Sequence, residues 1–184
     1  MTTGKKNWVL FALIFLTSVV SDQWTKMLAV NHLKGKPAIE WFSGNARLVY
    51  AENPGAFLGL GGNWPDALRF SIFIVLAIVL LAGVLVYMIK KRDLSTWSTI
   101  GLALFSSGAL GNVIDRVARD GGRVVDFMQL SLGDVSLFGL PMRTGIFNIA
   151  DIALMAAIPV LFFATKDEPK KNLVPSKGEP PLGE

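Results

Sequence analysis

Four aspartates stand in or beside stretches of sequence that are otherwise apolar. A charge at the centre of a bilayer costs about 2.5–3.5 kcal/mol on insertion scales, so each of these side chains needs a partner or a function. Asp22 precedes Lys26 by four residues, a spacing that puts both on one helical face, and an interfacial ion pair is its plainest reading. Asn112, Asp115 and Arg116 close another apolar stretch, with Asn112 and Arg116 on one face. Asp151, in Phe147-Asn148-Ile149-Ala150-Asp151, is predicted to lie more than a turn inside a helix that has no basic residue, so its partner must come from elsewhere. Asp126 sits between Val125 and Phe127, an apolar setting that raises a carboxyl pKa. Two such carboxyls brought together would share one proton. One would act as a base towards water while the other, protonated, polarises a carbonyl, which is peptide hydrolysis without a covalent intermediate. The residues alone leave the pairing open, because Asp115 is as available a partner as Asp151.

Other chemistries are narrowed by composition. The absence of cysteine excludes a disulfide framework, a thiolate metal site and a cysteine nucleophile. His32 is the sole histidine, so it would have to serve any Ser-His-Asp triad, and a multi-histidine metal site is impossible; no metal or other cofactor is expected. The run Ser106-Ser107-Gly108-Ala109 with Gly111 allows close helix packing, and Asn53-Pro54-Gly55-Ala56-Phe57 reads by itself as a turn.

The elements that must position these residues are membrane helices. The 184-residue chain is 52% hydrophobic and only 17% charged, against about 25% charged in soluble domains. Four apolar segments, 8–30, 68–89, 95–114 and 146–164, approach the roughly 20 residues a span needs. The first could instead be a cleaved signal peptide, but such peptides rarely precede three further spans. Four spans place both termini on one side, and Lys5, Lys6, Lys90, Lys91, Arg92, Lys166, Lys170 and Lys171 mark that side as cytoplasmic. Loops 31–67 and 116–145 then face outward. The first carries aromatic and β-branched residues suited to short strands at the interface, and the second reads as a hairpin broken at Gly133-Asp134. Residues 166–184 are too polar and Pro-rich to fold and are expected to form a disordered cytoplasmic tail. The expected architecture is an all-α integral membrane domain over 1–165, with four transmembrane helices, a small β-rich outer subdomain and a hairpin. A net charge of +4, gathered at segment ends, suits lipid headgroups rather than nucleic acid.

Taken in order, Asp22-x-x-x-Lys26, Asn53-Pro-Gly-Ala-Phe57, Gly108-x-x-Gly111-Asn112-x-x-Asp115-Arg116, Val124-Val-Asp126-Phe127 and Phe147-Asn148-x-Ala-Asp151 resemble the blocks of lipoprotein signal peptidases. The resemblance spans about 130 residues and is specific in combination. It implies a membrane aspartyl endopeptidase that removes signal peptides from bacterial prolipoproteins, before the diacylglyceryl-modified cysteine, at the outer face of the cytoplasmic (inner) membrane. It also implies that Asp126 and Asp151 are the catalytic pair, that Asn53, Asn112, Arg116 and Asn148 line the site, and that Asp22, Lys26, Asp115 and Gly108 support it. The implied partners are lipid-modified prolipoproteins and membrane phospholipid, with the chain acting as a monomer. Three departures from the family pattern stand out: the Asn53 block is one residue tighter, Ile152 replaces a usual serine, and the hairpin is longer. A small transporter using Asp22, Lys26 and Asp151 as an ion path is the rival reading, against which stand the long outer loops and the lack of an inverted repeat.

Overall fold

The computed structural model describes residues 3–55, 63–91, 93–137 and 140–164, with only the backbone described across 132–142. Ala56 and Phe57, Arg92 and the expected tail lie outside the described residues. Four helices carry the fold: α1 (Thr3–Leu33), α2 (Asp66–Lys90), α3 (Thr96–Ala118) and α4 (Ile149–Ala164). Among the described residues α1, α2 and α3 are long and apolar enough to cross a membrane, whereas α4, at 16 residues, is shorter than the four-span expectation required.

The helix boundaries move in an informative way. α1 and α2 run past the segments 8–30 and 68–89 because the polar residues at their ends continue the backbone hydrogen bonding. α3 continues to Ala118 rather than stopping at 114, so Arg116 belongs to a helix and not to the second loop. Its start is fixed by Ser95, whose Oγ accepts from the Ser98 N–H at 3.0 Å. α4 starts at Ile149 instead of 146, which leaves Asp151 in the first turn and corrects its expected place deeper in the helix.

The two loops also build one sheet rather than a β-rich loop and a separate hairpin. Strands β1 (Ile39–Trp41), β2 (Ala46–Asn53), β3 (Val124–Leu137) and β4 (Leu140–Arg143) pair antiparallel in the order β1-β2-β3-β4. β3 runs through Gly133-Asp134, where a break was expected, and the irregularity shows as a register shift against β4 between Ser131 and Ser136. A second register shift between Leu48 and Ala51 sets Ala51 opposite Asp126 and Asn53 opposite Val124. The sheet is held to the end of α1 by Ala29 and Leu33 packed on Val125 and Phe127. At the other end of the helices, Phe11 of α1, Val84 and Met88 of α2 and Ala103 of α3 form a second cluster.

α3 is the central helix, and small residues let its neighbours approach. A Cβ on Gly108 would come within 2.4 Å of the Ala150 carbonyl oxygen, so only glycine allows the first turn of α4 to lie this close. A Cβ on Gly111 would meet Asp22 Oδ2 at 2.6 Å, so the same argument holds for α1. The third clamp is electrostatic. Lys26 Nζ, with 0% side-chain exposure, lies 2.8 Å from Asp22 Oδ2 and 3.1 Å from Asp115 Oδ2, joining α1 to α3. This is not the interfacial pair the spacing suggested; both partners are buried, and burial makes the interaction strong only while all its members are present.

Two outcomes test this account. Gly108→Val should prevent α3 and α4 from packing and sharply lower the yield of folded protein, while Gly83→Ala, where a Cβ meets nothing within 4 Å, should melt no lower than the parent. Lys26→Met should destabilise the fold by about 3–5 kcal/mol, because it strands two buried carboxylates. A melting temperature in detergent within a degree of the parent would show that the ion cluster does not hold the helices together.

Candidate active site

The site forms where the end of α3, strand β3 and the start of α4 meet. Asn148 is its hub. It caps α4: its Oδ1 accepts from the Asp151 N–H at 2.9 Å, while its own backbone N–H donates to Asp151 Oδ2 at 3.2 Å. That reciprocal pair is a capping box with Asp151 at the third helical position, which explains why Asn and Asp recur at a spacing of three just before an apolar run. The Asn148 side-chain amide then donates to Asp126 Oδ1 at 2.7 Å, and to the Val125 carbonyl at 3.2 Å. One residue therefore touches both carboxyls, Asp126 from the strand and Asp151 from the helix.

Two further asparagines complete the cage. Asn53 Oδ1 accepts from the Gly55 N–H at 2.9 Å, a local turn that leaves Nδ2 facing outward to donate to Asp126 Oδ2 at 2.9 Å. Asn112 Oδ1 accepts from Lys26 Nζ at 3.0 Å and from Asn148 Nδ2 at 3.1 Å. Its Nδ2 is thereby turned to Asp151 Oδ1, at 3.0 Å. The partner that Asp151 required from outside its helix is thus an amide and not a cation. Asp126 and Asp151 are both buried, and among the described residues neither forms an ion pair with lysine or arginine. Burial, and then the Asp151 charge beside it, push the Asp126 carboxyl up from its ordinary value to about 7, against the hydrogen bonds from Asn53 and Asn148.

The supporting residues fall one layer out. Asp22 Oδ1 accepts from the Ala150 N–H at 2.9 Å, so a carboxylate from α1 satisfies a free donor at the start of α4. Asp115 accepts from the Val125 N–H at 3.0 Å and pairs with Lys26 and, at 3.3 Å, with Arg119. Arg116, next to Asp115 in the sequence, turns elsewhere. Consecutive helical residues point about 100° apart, and Arg116 instead turns its Nη2 to the Gly55 carbonyl at 2.7 Å and its Nη1 to the Asn112 carbonyl at 3.1 Å. Its guanidinium lies 5.1 Å from the centroid of the Phe73 ring. His32 lines an apolar groove with Leu28 and Phe127, on the opposite face of β3 from Asp126.

The sequence reading missed Gln23. Its amide donates to Asp22 Oδ2 and to the Gly111 carbonyl, both at 3.0 Å, and so fixes the carboxylate that caps α4. A polar amide next to Asp22 inside an apolar run was the available signal. Glu52 was missed too. It accepts from Tyr50 at 2.7 Å and Lys34 at 3.0 Å beside Asn53, and these two bonds hold its carboxyl below the ordinary range.

The chain as a whole is similar to known proteins. Residues 14–166 match the family model described as signal peptidase (SPase) II. A lipoprotein signal peptidase from Chlorobaculum tepidum is 35% identical over 83% of this chain and 93% of its own length. One from Geobacillus thermodenitrificans is 31% identical over 87% of this chain and 94% of its own. Among solved structures, a bacterial membrane enzyme determined by the in meso method at 2.3 Å superposes with a TM-score of 0.70 at 28% identity, covering 89% of this chain and 93% of that one. The chain belongs to the signal peptidase II family of proteases.

Proposed function

We propose that this protein is a four-span membrane aspartic endopeptidase that removes signal peptides from bacterial prolipoproteins, cutting before the diacylglyceryl-modified cysteine, with Asp126 and Asp151 as its catalytic pair. The observation that carries the reading is the Asn148 bridge, which holds two buried carboxyls together without a cation on either. Two carboxyls in that situation share a proton. Asp126, whose pKa is pushed to about 7, keeps it and polarises the scissile carbonyl; Asp151 takes the proton of the attacking water. Asn53 and Asn112 hold the outer oxygens of the pair, and Arg116 offers a buried guanidinium to orient the substrate backbone. Water adds to the carbonyl, the tetrahedral intermediate collapses, and the departing amine leaves with a proton from the pair.

The placement of the site follows the charge pattern. Lys5 and Lys6 at the start of α1, and Lys90 and Lys91 at the end of α2, lie at the end of the helices away from the sheet, and positively charged ends face the cytoplasm. The sheet and the carboxyl pair then lie at the outer face, with both termini inside. α4 reaches only about 24 Å, and it spans by joining the apolar Ile146 and Phe147 before it. The substrate's acyl chains keep the scissile bond at this depth, each buried methylene adding about 0.8 kcal/mol.

Purified protein given a diacylglyceryl-modified prolipoprotein should release its signal peptide, and the unlipidated form should be cut far more slowly. Asp126→Asn and Asp151→Asn should each lower the rate by about 10²–10⁴-fold without loss of membrane insertion. Normal turnover by either variant would refute the pair. The pH profile should be bell-shaped. A raised pKa means that Asp126 stays protonated up to about pH 7, so activity that needs its proton is present below that value and lost as pH rises through it. The acidic limb falls when Asp151 is protonated as well. A flat profile through pH 7, with chemistry rate-limiting, would remove the shared proton from the mechanism.

A further inference from the structure

β2 ends where the carboxyl pair begins. Asn53, the last residue of the strand, lies opposite Val124 and donates to Asp126 Oδ2 at 2.9 Å. Strand ends are where a ladder frays, so this hydrogen bond is only as well placed as the end of β2. Successive residues of a strand face opposite ways, and Glu52 therefore turns to the far side of the sheet from Asn53. There Glu52 Oε1 accepts from the Tyr50 hydroxyl at 2.7 Å and from Lys34 Nζ at 3.0 Å, and Oε2 stands 3.8 Å from Arg123 Nη1. Lys34 follows the last residue of α1 and lies 5.3 Å from the centroid of the Tyr50 ring, and Arg123 precedes the first residue of β3. One carboxylate thus ties together the end of α1, the end of β2 and the start of β3, directly behind the asparagine that holds Asp126. Arg119 and Asp120 border the same polar recess, but Arg119 is already paired with Asp115 at 3.3 Å.

We propose that Glu52 is a positioning residue of the reaction: gripped by Lys34, Tyr50 and Arg123 on one face of β2, it fixes Asn53 against Asp126 on the other. This role rests on the peptidase reading, in which Asp126 reacts. Glu52 is 33% exposed and Lys34 57%, and ion pairs this open to water add little to global stability. They can still hold a strand end in one place. Glu52 stays ionised where Asp126 titrates, because the bonds from Tyr50 and Lys34 hold its carboxyl below the ordinary range while burial and Asp151 push Asp126 to about 7. The hydrogen bond from Asn53 works against that rise, so losing it moves Asp126 further up. Deleting the Glu52 charge by itself would move Asp126 the other way, because a nearby negative charge favours the protonated form. The direction of the shift therefore separates positioning through Asn53 from a direct effect of charge. The other charged groups around Asp126, namely Asp151 of α4, Lys26 of α1 and Arg116 and Asp115 of α3, are the same in both cases.

The test measures kcat and KM across pH, and the melting temperature, for wild type, Glu52→Ala, Asn53→Ala and the double variant, with a diacylglyceryl-modified prolipoprotein in one detergent. Glu52→Ala should lower kcat by about fivefold, the upper end of what an exposed ion pair supports, with KM and melting temperature near wild type. Its alkaline limb should move to higher pH, as in Asn53→Ala. In the double variant the loss should equal that of Asn53→Ala alone, since effects that pass through one residue do not add. Wild-type kcat and pH profile in Glu52→Ala would overturn the role, as would a limb that moves to lower pH or losses that multiply in the double variant. A fall in kcat matched by a fall in melting temperature, with the limb unmoved, would make Glu52 merely structural and overturn it too. If Asn53→Ala does not fold, the direction of the limb in Glu52→Ala decides; if Glu52→Ala does not fold, Glu52→Gln takes its place in the same comparison. Failure of the wild type to cut would overturn the peptidase reading itself, and this role with it.

Discussion

Lys26 is a charged side chain with no solvent exposure, in the C-terminal half of a helix long and apolar enough to cross a membrane. Such a charge persists only if its partners stay within hydrogen-bond reach, and here each partner has a second task. Asp22 caps α4 through the Ala150 N–H, Asp115 anchors β3 through the Val125 N–H, and Asn112 aims its amide at Asp151. One ammonium thus sets the relative position of the first helix, the central helix, the strand with Asp126 and the helix with Asp151. Removing it does not simply delete one ion pair; it releases every element whose placement was conditional on it.

The outer and inner layers of this polar cluster differ in kind. The outer layer is ionic: two carboxylates close on one lysine. In the inner layer, amides surround the carboxyls, and an amide holds a carboxyl in place without fixing its charge. Asp126 is therefore free to titrate near neutrality, which its buried position and its charged neighbour demand. Asparagine suits this role because one end of its amide can be tied to the scaffold while the other faces the carboxyl, as Asn53 does with Gly55 and Asn148 with Asp151.

Much of this was legible in the sequence, and the rest was hidden for definite reasons. Charge-free runs announce membrane helices because lipid leaves no alternative for their backbone, so α2 could be read almost to its ends. The end of α3 could not, since Asp115, Arg116 and Arg119 look like a loop in composition while their i, i+4 pairing and buried contacts keep them helical. Asp151 was recognisable as a carboxyl with no cation in its own helix, but its first-turn position came from the capping box, a local signal that apolar periodicity overlooks. The partners of Lys26 more than 80 residues away depend on packing and leave no trace in spacing. The choice between Asp115 and Asp151 as the mate of Asp126 was likewise beyond the residues alone and came from resemblance. β3 was cut short at Gly133-Asp134 because turn residues were read without knowledge of the strands on either side that hold them extended.

The contact between Asp22 and Ala150 joins positions 128 residues apart, so the first and last of the four described α-helices meet at the same point. During synthesis the strand with Asp126 emerges before α4, and until α4 follows there is no Asn148 to bridge it to Asp151. A partly made chain therefore holds the pieces of the polar cluster without the cluster. It closes only with α4, when β3 and α3 are already in place to receive it.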